Sequence, residues 1–148
     1  MGVTRLPAVL LLLVLTGCGS AAAGPPAEVR VVTGSQTVGV RPSQYCLDGE
    51  RQRYTHKPPV VEVSPGAPIT LTVPDAVAAH GWSVQVFDDK LEKEIGVVDV
   101  PKGTAVFDKI KSDDVVPPAF YLVIVEDKGG DCGEFTAAWP VGFIRAGG

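Results

Sequence analysis

Apolar and polar residues alternate through most of the chain after residue 27, and this period of two predicts strands. Residues 69–73 read ITLTV, so their three apolar side chains share one face of the strand. Residues 82–87 read WSVQVF and follow the same pattern with a tryptophan and two valines. Residues 119–126, AFYLVIVE, are apolar on both faces, which indicates a strand in the middle of a sheet.

The remaining segments complete a series of short strands, interrupted by one helical turn. Further strands are predicted at residues 28–33, 36–40, 60–63, 91–98, 104–110 and 134–145. Residues 76–79 predict a single helical turn that is too short to be stable alone, and residues 41–59 predict an irregular polar segment. About seven to nine strands without a long helical period predict an all-β fold, an antiparallel β-sandwich of the immunoglobulin-like kind.

Two tryptophans and one proline add detail to this prediction. Trp82 and Trp139 are expected to anchor the core, and each has an indole N–H that needs an acceptor. Pro140 follows Trp139 in the last predicted strand and cannot donate a ladder hydrogen bond. We therefore expect that strand to lie at a sheet edge or to contain a bulge at Pro140.

The start of the chain has the features of an export signal. Arg5 precedes the apolar residues 6–15, a run shorter than the roughly 20 residues that a membrane-spanning helix needs. The motif LTGC at residues 15–18 follows directly and resembles the bacterial lipobox. In that signal the cysteine thiol, here Cys18, receives a diacylglyceryl group and the preceding peptide is removed. An ordinary cleaved signal with a chance cysteine is the alternative.

These features divide the chain into three parts. They are a signal peptide at residues 1–17, a lipidated Cys18 with a flexible tether at residues 18–27, and a β-sandwich domain at residues 28–148. Each buried CH₂ contributes roughly 0.8 kcal/mol, so two acyl chains on Cys18 would anchor the protein stably. We therefore expect the membrane as a partner, through the Cys18 anchor, with the domain on the extracytoplasmic face of the cell membrane.

The two other cysteines, Cys46 and Cys132, form an even pair outside the cytoplasm, which predicts a disulfide. The two cysteines lie 86 positions apart, and a disulfide that closes this loop would stabilise the fold by about 4–5 kcal/mol on the chain-entropy model. Two free buried thiols are the alternative. With His56 and His80 the same cysteines make a Cys₂His₂ set, but their spacing matches no zinc module. We therefore predict neither a metal site nor a cofactor.

Composition and motifs exclude some classes of function. The 148 residues amount to one domain, and 17 acidic against 13 basic side chains argue against nucleic acid as a partner. A hydrophobic content of 45% argues against disorder. No Gly-x-Ser-x-Gly or other nucleophile motif accompanies His56 or His80. No catalytic residue is predicted, and the protein is not expected to be an enzyme.

Residues 41–59 are the most distinctive irregular segment, because aromatic and basic side chains are mixed there. We predict a binding loop that uses Tyr45, Arg51, Arg53, Tyr54 and His56. Long loops on a rigid scaffold often bind, and aromatic residues with arginine are frequent anchors of interfaces. The expected partner is an envelope protein or a cell-wall ligand. A loop that only covers an open end of the sandwich is the alternative.

Four segments resemble a known family in their order and spacing. They are PSQYC at residues 42–46, PGAPITLTVP at 65–74, GWSVQVF at 81–87 and AWPV at 138–141. They resemble the short actinobacterial lipoproteins grouped as domain of unknown function 2771, over nearly the whole mature chain. The resemblance implies an exported, lipid-anchored, mostly β protein and assigns no catalytic residue.

The chain departs from that family at its cysteines. Members of the family tend to have a second cysteine shortly after the one in the QYC motif, and residues 47–59 contain none. Cys132 is then the only candidate partner of Cys46, and the disulfide connectivity stays open.

Three functions are compatible with the sequence. The first is a non-enzymatic, lipid-anchored binding or interaction module at the cell envelope. The second is an envelope hydrolase that acts through a histidine or carboxylates. A cleft that brings His56 or His80 within hydrogen-bond reach of an aspartate or glutamate would favour it. The third is a metal carrier.

Overall fold

The computed structural model describes residues 2, 27–127, 132–133 and 135–147. Over these residues the chain forms eleven strands and one helix of six residues. The strands are β1 (Val29–Thr33), β2 (Gln36–Val40), β3 (Gln44–Leu47), β4 (Glu50–Arg53), β5 (Val60–Val63), β6 (Pro68–Thr72), β7 (Trp82–Phe87), β8 (Glu94–Asp99), β9 (Val106–Lys111), β10 (Ala119–Glu126) and β11 (Ala137–Arg145). The helix, α1 (Asp75–His80), connects β6 to β7.

The strands form two sheets that pack face to face, which confirms the predicted all-β sandwich. The smaller sheet has the order β2-β1-β6-β9, and its neighbouring strands are antiparallel. The larger sheet has the order β4-β3-β11-β10-β7-β8, and β5 pairs in parallel with β11. The chain passes from the larger to the smaller sheet between β8 and β9, so each of these consecutive strands forms the end of a different sheet.

Side chains from the inner faces of both sheets form one main core. The largest fully buried members are Trp82, Trp139, Phe120, Phe143, Ile69 and Leu71. Trp82 donates its Nε1–H to the Thr104 carbonyl at 2.7 Å, and Trp139 donates to the Ala27 carbonyl at 3.2 Å. Both tryptophans are therefore core anchors whose indole N–H groups are satisfied, as the sequence predicts.

Strand β10 is buried on both faces, because it lies between β11 and β7 near the middle of the larger sheet. On the face opposite the main core, Val123, Val125 and Ala138 form a second small cluster. Phe87, Leu91 and Phe135 pack against it. This arrangement confirms the central strand that the two-sided apolar pattern of residues 119–126 predicts.

The prediction of an irregular segment at residues 41–59 is wrong in its central part. Strands β3 and β4 form an antiparallel hairpin there and extend the larger sheet, which brings the number of described strands to eleven. Asp48 and Gly49 connect them with φ of 50° and 76°. Two successive residues at positive φ form the tight turn that Asp-Gly favours between strands. The ERQR sequence of β4 has no alternation of apolar and polar residues, so the sequence pattern does not predict this strand.

The expectation that Pro140 marks an edge or a bulge is also wrong. Strand β11 pairs with β10 without a register shift, and on its other side it meets β3 at residues 137–138 and β5 at residues 142–145. Pro140 lies in the gap between these two partners. Its missing N–H therefore removes no ladder hydrogen bond from a strand that is otherwise central.

The predicted N-terminal features lie outside the described residues. They are the signal peptide at residues 1–17, apart from Gly2, the lipid attachment site Cys18 and the tether as far as residue 26. In the part of the chain that the structure describes, no helix has the length and apolar character needed to cross a membrane.

Candidate functional site

A disulfide joins Cys46 to Cys132, with the Cα atoms 5.8 Å apart, as predicted. It links β3 to the segment that follows β10, and the Cys46 N–H also donates to the Thr136 carbonyl at 2.6 Å. Because both sulfur atoms are bonded to each other, they are not available for the Cys₂His₂ set. Among the described residues, no group of three or more His, Cys, Asp or Glu side chains converges as metal ligands.

The structure brings together only part of the predicted binding loop. Tyr45 is buried and stacks on the exposed ring of Tyr54, with the ring centroids 5.7 Å apart. Arg51 donates to the Cys132 carbonyl, and His56 Nε2 donates to the Pro42 carbonyl at 2.9 Å. These two side chains therefore attach the hairpin to neighbouring backbone, while Tyr54 and Arg53 face solvent.

The contact between the two tyrosines predicts how the Tyr54 hydroxyl titrates. The hydrogen bond to Tyr45 raises the pKa of Tyr54 above its ordinary value of 10.0, with smaller contributions from burial and from the charge of Tyr45. The folded state thus favours neutral Tyr54. The resulting stabilisation is complete below the ordinary pKa and is lost as the pH rises through the folded pKa. Tyr45→Phe should lower the Tyr54 pKa in a ¹³C NMR titration of the phenol carbon.

The control for this titration is Tyr121→Phe, which removes the remaining tyrosine, on β10, and should leave the Tyr54 curve unchanged. If wild type and Tyr45→Phe gave superimposable Tyr54 curves, the hydroxyl contact between the two tyrosines would be refuted.

A groove of about 430 Å³ opens between the edge strands β8 and β9, which end the two different sheets. The lining residues from the sheets are Val86, Ile95, Gly96, Val97, Val98, Lys109 and Ile110, and those from the turn before β10 are Asp114, Val115, Val116 and Pro117. The volume lies within the range of small-ligand sites in proteins, which are likewise mostly apolar with a few polar groups.

The floor of the groove is the main core, whereas its rim is exposed apolar surface. Val86, Ile110 and Val115 are buried members of the core cluster. Val97 on β8 is 53% exposed, and Val116 on the opposite wall is 88% exposed. Val97 alternates with the inward-facing Gly96 and Val98, so its exposed side chain lies on the outer face of β8, beside the groove.

Arg145, at the end of β11, fixes the wall of the groove. Its Nη1 donates to the carbonyls of Ser112 and Val115 at 2.7 and 2.8 Å, and its Nη2 donates to the Val116 carbonyl at 3.1 Å. The buried Ser112 hydroxyl donates to the Ser64 carbonyl at 2.6 Å. These bonds hold the turn at residues 112–117 in place, so the groove is formed before any partner arrives.

Arg145→Lys should lower the free energy of unfolding by about 1–3 kcal/mol, because one ammonium cannot replace the planar three-carbonyl contact. Urea denaturation measures the loss. The matched control is Arg53→Lys on the exposed edge strand β4, which should change stability by less than about 0.5 kcal/mol. Equal effects of the two substitutions would show that Arg145 does not hold the turn.

Gly96 keeps the β8 side of the groove open. It lies opposite Val86 in the sheet and shares its inward face. A Cβ placed at Gly96 would meet only Val86, at 4.0 Å, so a β-carbon fits there without moving the backbone. The missing side chain is therefore a reason why the groove reaches the core.

His80 lies near a carboxylate: its Nδ1 is 3.0 Å from Glu126 Oε1. The contact links the end of α1 to the end of β10, next to the backbone bond from Asp127 N–H to the Gly81 carbonyl. A general base also needs a cleft for its substrate. Neither residue lines the groove or two further cavities, of about 400 and 240 Å³, beside residue 39 and residue 121. The contact orients the His80 ring and joins α1 to β10.

Sequence reasoning missed the groove, although it predicted strands at residues 91–98 and 104–110. The signal was weak but present: residues 95–98, IGVV, are apolar with no charge, in a strand that starts and ends with an acidic residue. Nothing local indicates that these two strands end different sheets, and nothing local links Arg145 to the turn at residues 112–117.

The sequence model of one family, described as protein of unknown function (DUF2771), matches residues 23–141. The match covers most of the chain and includes the hairpin, the disulfide and the groove. The predicted signal peptide and Cys18 precede it. No curated protein and no solved structure matches the chain.

Proposed function

The chain belongs to the DUF2771 family of proteins of unknown function, and from this premise we propose that it is a non-enzymatic binding module, lipid-anchored on the outer face of the cell membrane. The family description assigns no activity. The proposal therefore depends on two features of this chain, the LTGC motif at residues 15–18 and the groove between β8 and β9.

The anchor is Cys18, as in the short actinobacterial lipoproteins that the chain resembles. Two acyl chains on one cysteine hold a protein on a bilayer far more firmly than one chain does. The tether runs from Cys18 to residue 27, so it spans about 30 Å when fully extended. The groove would then meet partners that lie close to the membrane surface.

The preformed apolar groove is the observation that carries the binding role. Its wall is held by Arg145, and its rim exposes Ile95, Val97 and Val116 to solvent. A rigid site binds with a smaller loss of conformational entropy than a mobile one. The β3–β4 hairpin offers a smaller surface, because Arg51 and His56 are occupied by backbone carbonyls and Tyr45 is buried.

The test is partner capture by crosslinking on intact cells, followed by mass spectrometry. Gly96→Val fills the groove without a backbone clash and should abolish capture of the specific partner. Its stability should stay the same or rise by about 0.4–1 kcal/mol, because valine restricts the unfolded chain. Thr37→Val, on the edge strand β2 outside the groove, is the control and should capture normally.

The same experiment separates the groove from the hairpin. Tyr54→Ala removes an exposed side chain and tests the hairpin cleanly, whereas Tyr45→Ala would disturb the fold because Tyr45 is buried. Capture that is lost in Tyr54→Ala and kept in Gly96→Val would place binding on the hairpin and contradict the groove. Capture that is lost only in Gly96→Val would support it.

A further inference from the structure

The strands that end the two sheets differ in how they protect their free backbone edges. Strand β4 carries Glu50, Arg51 and Arg53, strand β9 carries Asp108, Lys109 and Lys111, and strand β2 exposes Gln36 and Thr37. Strand β8 has no charge between Glu94 and Asp99, and it exposes Ile95 (41%) and Val97 (53%). Charged side chains on an edge strand prevent pairing with other chains, and β8 lacks them in its central four residues.

We propose that the free edge of β8 accepts an extended polypeptide segment of a partner protein as an added strand, with apolar side chains facing the groove and Lys or Arg at its ends. This inference depends on the groove being the binding site, as proposed above, and it adds the class of the partner.

The geometry of the groove suits an added strand. Among the strands that the structure describes, β8 pairs with β7 alone, so none of them bonds to the N–H and C=O groups of its other edge, beside the groove. A segment paired there would cover the gap between β8 and β9. Every second side chain would point toward Ile110 and Val115 in the floor. Main-chain hydrogen bonds would give affinity, and the apolar floor would give specificity.

Charge distinguishes between the candidate occupants. If two copies of the chain paired through β8 in the centred antiparallel register, Glu94 of each would face Asp99 of the other, and like charges directly opposite are destabilising. A partner with basic residues at the same positions meets attraction instead. Asp114 adds another carboxylate to the groove wall. Lys109 is the one cation among the lining residues, and its Nζ lies 3.4 Å from Asp108 Oδ1, so its charge is paired.

The test uses a labelled synthetic peptide, Lys-Val-Thr-Val-Thr-Lys, whose two lysines have the same spacing as Glu94 and Asp99, and fluorescence anisotropy with the folded domain. We expect saturable binding at low salt and slower hydrogen–deuterium exchange of the β8 amides when the peptide is present. Replacement of both lysines by glutamate should weaken binding by about tenfold or more. Equal affinity of the two peptides would overturn the charge assignment.

Two N-methylated peptides test the strand pairing itself. One carries N-methyl groups on its valines and the other on its threonines, so each blocks hydrogen bonding along a different edge of the peptide. Pairing with β8 uses one edge, so only one of the two peptides should lose affinity, by about tenfold or more. If both bound like the parent peptide, the added strand would be refuted.

Two equally exposed valines provide matched variants of the protein. Val97→Lys places a charge on β8 and should weaken binding by about tenfold or more, whereas Val106→Lys on β9 should not change it. The side chains are 53% and 55% exposed, so neither change disturbs the core. Equal effects of the two variants would overturn the assignment to β8.

These results can be told apart from a failure of the proposed function. If Gly96→Val abolishes cellular capture but none of the peptides binds, the groove is the site and its occupant is not an added strand. If Gly96→Val captures normally, the groove itself is refuted. A concentration-dependent dimer that Val97→Lys abolishes would identify a second copy as the occupant and would overturn the proposed partner class.

Discussion

We expect the double variant Cys46→Ala/Cys132→Ala to lose about 4–5 kcal/mol of unfolding free energy, the largest effect of any change considered for this protein. The disulfide joins residues that are separated by 86 positions. It therefore restricts the conformations of most of the domain when the protein is unfolded. It also attaches β3, and with it the β3–β4 hairpin, to the segment between β10 and β11. In the described residues the hairpin pairs with β11 at two positions, Ala137 with Tyr45 and Ala138 with Gln44, so the disulfide reinforces a short strand pairing.

Urea denaturation of the oxidised wild type, the reduced wild type and the double variant measures this loss. Reduced wild type should match the double variant, because both lack the same crosslink. The hairpin should then exchange its amide hydrogens faster than β10 and β7 do. A loss below about 1 kcal/mol would mean that the crosslink does not restrict the unfolded chain as the loop length implies.

Trp82→Ala should lower the free energy of unfolding by about 3–5 kcal/mol, which is the second large effect that we expect. Trp82 is buried on β7 of the larger sheet and meets Phe107 of β9 edge to face, with the ring centroids 6.2 Å apart. Its indole N–H satisfies the Thr104 carbonyl, which precedes β9. The side chain therefore joins the two sheets both by packing and by a hydrogen bond.

Trp82→Phe separates these two contributions. It keeps a ring in the core and loses the N–H donor, so the expected loss is smaller, about 1–3 kcal/mol. Val116→Ala, at a position that is 88% exposed, should stay within about 0.5 kcal/mol of wild type. If Trp82→Ala and Val116→Ala cost the same, Trp82 would not be an anchor between the sheets.

The core could be predicted from the sequence because it depends on a local period of two. Alternation in residues 69–73 and 82–87 places Leu71 and Trp82 inside, and both are fully buried. The two-sided apolar run at residues 119–126 predicts a central strand, and β10 is one. In each case the pattern of apolar and polar residues along the strand shows directly whether one face or both faces are buried.

Strand β4 and the role of Pro140 could not be predicted in the same way. Strand β4 lies at a sheet edge with charged side chains in solvent, so no apolar pattern marks it. Asp48-Gly49 is a turn signal that could have indicated the hairpin. Pro140 is accommodated by the spacing of β3 and β5 along β11. That spacing is a property of the sheet order, which a single strand does not reveal.

The candidate site shows the same division. The sequence predicted the disulfide, because an even pair of cysteines remains after Cys18 in an exported chain. It placed Tyr45 and Tyr54 in one segment but did not predict that their rings stack. The groove depends on which strands end each sheet and on Arg145 reaching the turn at residues 112–117. Gly96 illustrates the difficulty: glycine in a strand is usually read as a weak point, whereas here its small size opens a binding surface.

The central claim, export and lipid anchoring of this domain through Cys18, is tested most directly by intact-mass measurement of protein extracted from the cell membrane with detergent. The account predicts a chain that starts at Cys18, carries the additional mass of a diacylglyceryl group and gains two hydrogens when Cys46–Cys132 is reduced. Full-length, unmodified protein recovered from the cytoplasm would contradict it.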